Sequence, residues 1–379
     1  MTLQKTNCGL FILFSYLLIL TTLPAQGQAA EGPRTLEIGE HAPDFNLPGV
    51  DGRRHKLSDF SSAAILTVVF TCNHCPTAQA YERRIQQLAD DYRGKGAALV
   101  AISPNDPKAV RLDELGYTDL SDSLEEMKIR AKDRNFTFPY LYDGEDQKVS
   151  LLYGPIATPH VFVFDKARKL RYAGRVDDSE KPDKVGSSDA RNAIEALLAG
   201  RPVPVGKTRT FGCSVKWSDK RASVKAAFQQ WGNEPVSLRA IDESGIRTLV
   251  RNDSKKLRLI NVWATWCGPC VIEFPELITI NRMYRGRDFE LITISADAPE
   301  SRDAALAFLK KQQASSKNYI FDLDDKYKLM EALDKKAPGA LPYTIVVEPG
   351  GKVNYRVLGE LSPLDLKKAI VELLGRYYP

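Results

Sequence analysis

The sequence predicts an α/β chain built from two copies of one element order. Three observations carry that prediction. Apolar runs at residues 64–70 and 257–262 read as buried strands. Each run leads into two cysteines three residues apart and then a helical pattern: Cys72 and Cys75 first, Cys267 and Cys270 later. The 379 residues also exceed one ordinary domain.

Hydrophobic residues at 43% and charged residues at 27% describe globular material with ample core. A net charge of +5 is modest at this length, and no basic block or aromatic-interleaved stripe points to nucleic acid. The first thirty residues stand apart. Lys5 precedes an apolar run at 10–20, followed by Pro24 and a small-residue stretch at 25–30. That order matches a secretory signal peptide over residues 1–29, cleaved after Gly27 or Ala29. The rival is an uncleaved anchor, since residues 8–25 are barely long enough to span a bilayer, and membrane contact would then run through this segment only. On both readings the rest faces an exported, disulfide-permissive compartment such as the periplasm. Cys8 leaves with a cleaved peptide. The five remaining cysteines are too few to staple a scaffold of this size, and the odd count implies a free or exchanging thiol.

In chain order, residues 33–200 read as a first domain. It has a hairpin at 38–52, the strand at 64–70, and a helix after Cys75 with Tyr81, Ile85 and Leu88 on one stripe. A strand at 97–103, a charged helix at 120–134 capped by Ser121 or Ser123, a hairpin at 158–176 and a helix at 189–198 complete it. Residues 201–235 read as a linker, marked by Pro202, Pro204 and Gly206, with a short helix within 217–231. The order then restarts over 236–379. A hairpin at 236–250 precedes a strand at 256–262, a helix at 271–284, a strand at 289–294 and a helix at 301–312. A hairpin at 343–358 and a helix at 364–374 close the chain.

The string Trp266-Cys267-Gly268-Pro269-Cys270 resembles the active site of the thioredoxin superfamily, and residues 236–379 are most similar to its exported TlpA/ResA-like branch. Residues 33–200 resemble the redoxin, AhpC/TSA-like branch. The resemblance implies two thioredoxin-like domains, each a mixed central β-sheet flanked by helices, with thiol–disulfide oxidoreductase activity. It makes Cys267 the nucleophile and Cys270 the buried resolving thiol. Asn261 stands where classical thioredoxin has a buried aspartate, and Glu273 stands where ResA-like proteins have an acid near the cysteines. Glu273 either takes up the proton of the resolving thiol or is a solvated first-turn glutamate. Pro269 implies a reducing pair. Leu341-Pro342-Tyr343 matches the family's cis-proline loop, whose backbone pairs with a substrate peptide.

In the first domain the peroxidase motif P-x-x-x-T-x-x-C is missing before Cys72, which disfavours peroxide reduction. His74 resembles the histidine of strongly oxidising periplasmic oxidases, where it stabilises the first thiolate, here Cys72; the other reading is an exposed histidine without a role. Thr158-Pro159-His160 matches a second cis-proline loop and implies that His160 lies near the sulfurs. Cys72, Cys75 and His160 would then hold copper or zinc, as in copper-delivery proteins of this fold, although their C-x-x-x-C spacing is absent here. In that alternative the second domain keeps the thiols of a copper-carrying module reduced. No other cofactor is implied. Cys213, in Gly212-Cys213-Ser214-Val215-Lys216-Trp217, resembles strings that trail redoxin domains with N-H-C-P sites. It reads as a buried small hydrophobe or as a third thiol relaying with Cys75 or holding a metal. The leading expectation is an exported oxidoreductase with two redox-active pairs, Cys72–Cys75 and Cys267–Cys270. Its partners would be protein disulfides such as apocytochromes, with a membrane thiol reductant to recharge it. Electrons would pass from the Cys267 site to the Cys72 site or outward.

Overall fold

The computed structural model describes residues 33–378 together with residues 1, 2 and 4, so the expected signal segment lies outside the described residues. Pro33–Pro379 forms one compact unit. Among the described residues no helix is long and apolar enough to cross a membrane.

The chain opens with a small hairpin, β1 (Asn46–Pro48) and β2 (Arg54–Lys56), followed by β3 (Ile65–Phe70). Every residue of β3 is buried, as expected of a central strand covered on both faces. Then come α1 (Pro76–Tyr92), β4 (Ala97–Ser103), α2 (Leu124–Asp133), β5 (Tyr140–Tyr142) and α3 (Lys148–Tyr153). β6 (Ala157–Thr158), β7 (His160–Phe164), β8 (Leu170–Gly174) and α4 (Asp189–Leu198) follow. The sheet order is β5-β4-β3-β7-β8. β3, β4 and β5 run parallel, and β7 and β8 are antiparallel additions. Alternate residues of β3 face opposite layers: Val69 packs with Tyr81, Ile85 and Leu88 of α1, while Val68 and Phe70 pack with Tyr153 of α3.

The segment expected to be a linker is structured. It carries β9 (Cys213–Ser214), which pairs with β6, and α5 (Arg221–Gly232). Beyond it lie β10 (Arg239–Ile241), α6 (Glu243–Arg251), β11 (Leu257–Trp263) and α7 (Gly268–Tyr284). The hairpin expected at 236–250 is therefore a strand and a helix. Asp242 caps the helix by accepting from the Gly245 amide, and Ile246, Leu249 and Val250 have helical spacing on its packed face. The second sheet is completed by β12 (Phe289–Ser295), α8 (Arg302–Lys311), β13 (Lys317–Phe321) and α9 (Lys326–Leu333), then β14 (Tyr343–Val347), β15 (Val353–Leu358) and α10 (Pro363–Leu374). Its order is β10-β13-β12-β11-β14-β15, parallel from β10 to β11 and antiparallel beyond. Both sheets are mixed and helix-covered, as the resemblance implies.

The two halves meet at the loop before α2. The Tyr284 hydroxyl donates to the Thr118 carbonyl at 2.7 Å, and Arg376 Nη1 pairs with Asp119 at 2.6 Å. Arg130 lies 3.7 Å from the same carboxylate. Burial works to raise the Asp119 carboxyl, but Arg376 outweighs it and holds it below the usual carboxylate range. Asp119→Ala leaves two buried guanidinium groups short of a partner, with an expected loss of about 3–5 kcal/mol in urea unfolding of the full chain near neutral pH. A carboxyl depressed in the folded state stabilises above its unfolded pKa and loses that contribution in acid. The gap between wild type and variant should therefore shrink below about pH 4.

Candidate active sites

In the second half, Cys267 is the N-cap of α7 and its sulfur accepts from the Cys270 amide at 3.3 Å. The two cysteines are joined as a disulfide. Cys270 is fully buried and Cys267 is 6% exposed, so the cap residue carries the more accessible sulfur. Pro342 follows a cis peptide bond, and Tyr343 after it pairs with Val262 of β11. Trp266 and Ile272, beside the disulfide, are 62% and 72% exposed.

Glu273 is not a solvated first-turn residue. It is buried one helical turn past Cys270, accepting from Asn261 Nδ2 and the Leu361 amide, both at 3.1 Å. Burial outweighs those two bonds and pushes its carboxyl up to about 7. Asn261 also donates to Thr344 Oγ1 at 2.9 Å, so the residue in the aspartate position orients the acid instead of replacing it.

In the first half, Cys72, Cys75 and Cys213 are free thiols. Cys75, not Cys72, caps α1, with its sulfur accepting from the Ala78 amide at 3.4 Å. Strand register gives the same answer. Phe70 of β3 pairs with His160, the residue after Pro159, as Val262 pairs with Tyr343 after Pro342. Five residues beyond each paired strand residue stands the cap sulfur, Cys75 in one half and Cys267 in the other. Cys75 thus corresponds to Cys267, Ala78 to Cys270, and Cys72 to Ala264. Cys75, not the Cys72 expected, therefore stands at the helix-capping position that Cys267 holds in the second half. Counted back from Cys75, the peroxidase motif would need threonine at Cys72 and proline at Val68, so it is absent on this register too.

The electrostatics agree. Burial opposes ionisation of Cys75, yet hydrogen bonds from the Cys213 and Cys72 thiols, the His74 charge and the Ala78 amide hold it well below the ordinary thiol range. Burial, reinforced by the hydrogen bond to Cys75 and the Asp122 charge, pushes Cys72 up. Its sulfur lies 3.2 Å from Thr158 Oγ1.

His74 is buried, which sets aside the surface reading. Its Nδ1 meets Asp122 Oδ2 at 2.5 Å, and burial is outweighed by that carboxylate, which raises the imidazole. Asp122 also accepts from the Asn73 and His74 amides and from Asn105 Nδ2. Sequence reasoning missed Asp122 and Asn105 because both lie in loops far from the cysteine pair. The expected approach of His160 to the sulfurs is replaced by another arrangement. Its Nδ1 takes the Ile156 amide at 3.4 Å, its ring packs 4.4 Å from Phe162, and burial lowers it to about 3. The residues whose donor atoms converge are Cys72, His74 and Asp122.

The two sites do not adjoin. Cys267 opens α7, whereas Tyr284 at its far end touches the first half. Beyond that end Arg287 lies over Tyr117, which packs against Tyr378, whose hydroxyl is 3.9 Å from the Cys213 sulfur. The 17 residues of α7 span roughly 25 Å.

Glu273 gives a pH test. Its folded pKa is raised, so the protonated carboxyl favours the fold, and stability falls as pH rises from the unfolded value of about 4.3 through about 7. Glu273→Gln should remove that slope in urea titrations across the window. It should also remove an inflection near pH 7 from the rate of disulfide reduction.

Residues 38–173 match the AhpC/TSA family and residues 237–370 match the Redoxin family. Thiol:disulfide interchange protein HelX of Rhodobacter capsulatus is 31% identical over 185 residues, covering 48% of this chain and 81% of that protein. Thiol-disulfide oxidoreductase ResA of Bacillus cereus is 26% identical over 145 residues, covering 36% of this chain and 75% of that protein. A crystal structure of an uncharacterized conserved protein from Geobacillus kaustophilus is 37% identical with a TM-score of 0.44, covering 51% of this chain and 98% of that one. With its two family-model matches and its likeness to HelX, the chain belongs to the thioredoxin superfamily of thiol–disulfide oxidoreductases, as an AhpC/TSA-family domain followed by a Redoxin-family domain.

Proposed function

We propose that the protein is an exported oxidoreductase whose Cys267–Cys270 pair exchanges with disulfides of protein substrates. The observation that carries this is a disulfide at a helix N-terminus with a buried acid, one turn past its second cysteine, that titrates near neutrality. Export rests on the signal-like residues 1–29. Apocytochromes as substrates, and a membrane thiol reductant as donor, rest on the resemblance to the ResA-like branch. The exposed Trp266 and Ile272 offer an apolar platform for a substrate chain beside the sulfur.

In the reduced pair, the Cys267 thiolate attacks one sulfur of the substrate disulfide and expels the other as a thiolate. Cys270 gives up its proton, for which the Glu273 carboxylate one turn away is the acceptor, directly or through water. The Cys270 thiolate then attacks Cys267 Sγ, closing the disulfide and releasing the second substrate thiol. Two electrons thus reach the substrate: the first sulfur it releases takes a proton from water, and the second takes the proton that Cys270 passed to Glu273. Because the two sites stand at different ends of α7, this cycle runs without direct contact with the first domain's thiols.

Cys267→Ser should reduce insulin-disulfide reduction to background, and unchanged turnover would remove Cys267 from the nucleophile role. Cys270→Ser should instead accumulate a mixed disulfide between Cys267 and insulin, visible as an adduct on a non-reducing gel.

A second reading concerns the first domain alone. The donor atoms of Cys72, His74 and Asp122 lie within 4.8 Å of one another, and Cys75 and Cys213 adjoin them. Copper(I) favours thiolates, and Asp122 is already occupied by hydrogen bonds, so the sulfurs would do the binding. Stoichiometric copper(I) retained by the reduced chain through gel filtration supports this reading, and passage without copper overturns it.

A further inference from the structure

Spacing pairs Cys72 with Cys75, but the fold brings a third sulfur to Cys75 by a different route. Thr158, just before Pro159, is the backbone position that the superfamily resemblance assigns to a substrate peptide. In this domain it is already paired. β9 lies antiparallel to β6, with Thr158 opposite Cys213 and Ala157 opposite Ser214. The Cys213 amide donates to the Cys75 sulfur at 3.4 Å, and the Cys213 side chain packs on the cluster of Cys72, Cys75 and Ala78. In the second domain the corresponding Leu341 has no strand partner among the described residues.

The segment is built into place. Gly212 has φ of +140°, and a Cβ there would come within 2.1 Å of the Thr158 carbonyl oxygen. The Lys216 amide donates to Asn105 Oδ1 at 2.9 Å, and its carbonyl accepts from the Asp106 amide and Gln147 Nε2. Its ammonium pairs with Glu114 at 2.5 Å. Burial orders the three sulfurs: Cys75 is fully enclosed, Cys72 is 2% exposed, and Cys213 is half-buried and reaches toward solvent beside Tyr378.

We propose that β9 is a built-in substrate strand, and that Cys213 forms a disulfide with Cys75 and is the sulfur through which the first domain exchanges with outside thiols. This rests on the thiol–disulfide chemistry proposed above but concerns the other site. In the forward step an external thiolate attacks Cys213 Sγ, forming a Cys213–substrate disulfide and expelling Cys75 as a thiolate. A second thiol of the same external dithiol then attacks the substrate sulfur, closing the substrate disulfide and returning the Cys213 thiol. One disulfide is reduced and one dithiol oxidised. The accessible sulfur receives the attack, and the sulfur that leaves is the one capped by the Ala78 amide at the N-terminus of α1, where a thiolate is best held, which favours that direction. Cys72, packed in the same cluster, can attack Cys75 Sγ of that disulfide, breaking its bond to Cys213 and releasing the Cys213 thiol, which leaves the domain oxidised as Cys72–Cys75.

The test uses the full chain, reduced and then exposed to glutathione disulfide, with rapid acid quench, alkylation and disulfide mapping by peptide mass spectrometry. Wild type should yield a Cys75–Cys213 peptide, and Cys72→Ser should yield it as the first domain's sole disulfide. Cys213→Ser should lower the rate of glutathione attachment in this domain at least tenfold. Gly212→Ala keeps all three sulfurs while displacing β9, and should slow Cys75–Cys213 formation about tenfold. Recovery of Cys72–Cys75 alone, with Cys213 alkylated throughout and glutathione attachment unchanged in Cys213→Ser, overturns the proposal. Insulin reduction by the same preparations reports on the Cys267 site separately, so the two readings fail independently.

Discussion

A sulfur held by the first free amides of a helix is the constraint that organises both halves of this molecule. Those amides have no partner within the helix, and they carry the positive end of its dipole. Placing a cysteine at the N-cap satisfies one of them and stabilises a thiolate at the same time. The position is fixed only because a fully buried central strand ends a few residues earlier and aims the chain at that point. Cys75 behind β3 and Cys267 behind β11 are the two instances. The surrounding charges serve the sulfur: a His74–Asp122 pair beside Cys75, and a neutral-leaning Glu273 behind Cys270.

Much of this was legible in the sequence. The buried strands, the helices they feed and the two X-Pro loops announce themselves through apolar runs, cysteine pairs and proline position. The second site was readable nearly residue by residue, because Trp266 to Cys270 lies on one continuous stretch and Glu273 is one turn further along the same helix. What was not legible depends on tertiary register. Spacing alone cannot say whether the first or the second cysteine of a pair caps the helix. That is settled by where β3 ends against β7, through the Phe70–His160 pairing.

Loops account for the rest. Asp122 reaches His74 from a loop 48 residues away, and Asn105 supports both that carboxylate and the Lys216 amide. Pro202, Pro204 and Gly206 correctly marked a break in regular structure, but not that the chain beyond it returns to pair with β6. Two-residue strands leave no periodicity to read. The same loop that supplies Asp122 also carries Thr118 and Asp119, which bind the second half. The short stretch from Thr118 to Asp122 therefore supports a thiol site on one side and a domain contact on the other.

The displaced register has a practical meaning for anyone rebuilding one half in the image of the other. The two C-x-x-C strings look interchangeable on paper, yet superposing them would shift one helix by three residues, about 4.5 Å along its axis and some 300° around it. The counterpart of Cys270 is Ala78, a small and fully buried residue on the first turn of α1. A graft of the second domain's dithiol into the first would have to keep Cys75 and install its partner by Ala78→Cys. Transplanting the tetrapeptide letter for letter would instead leave a cysteine in the loop and another at the cap, the arrangement the domain already has.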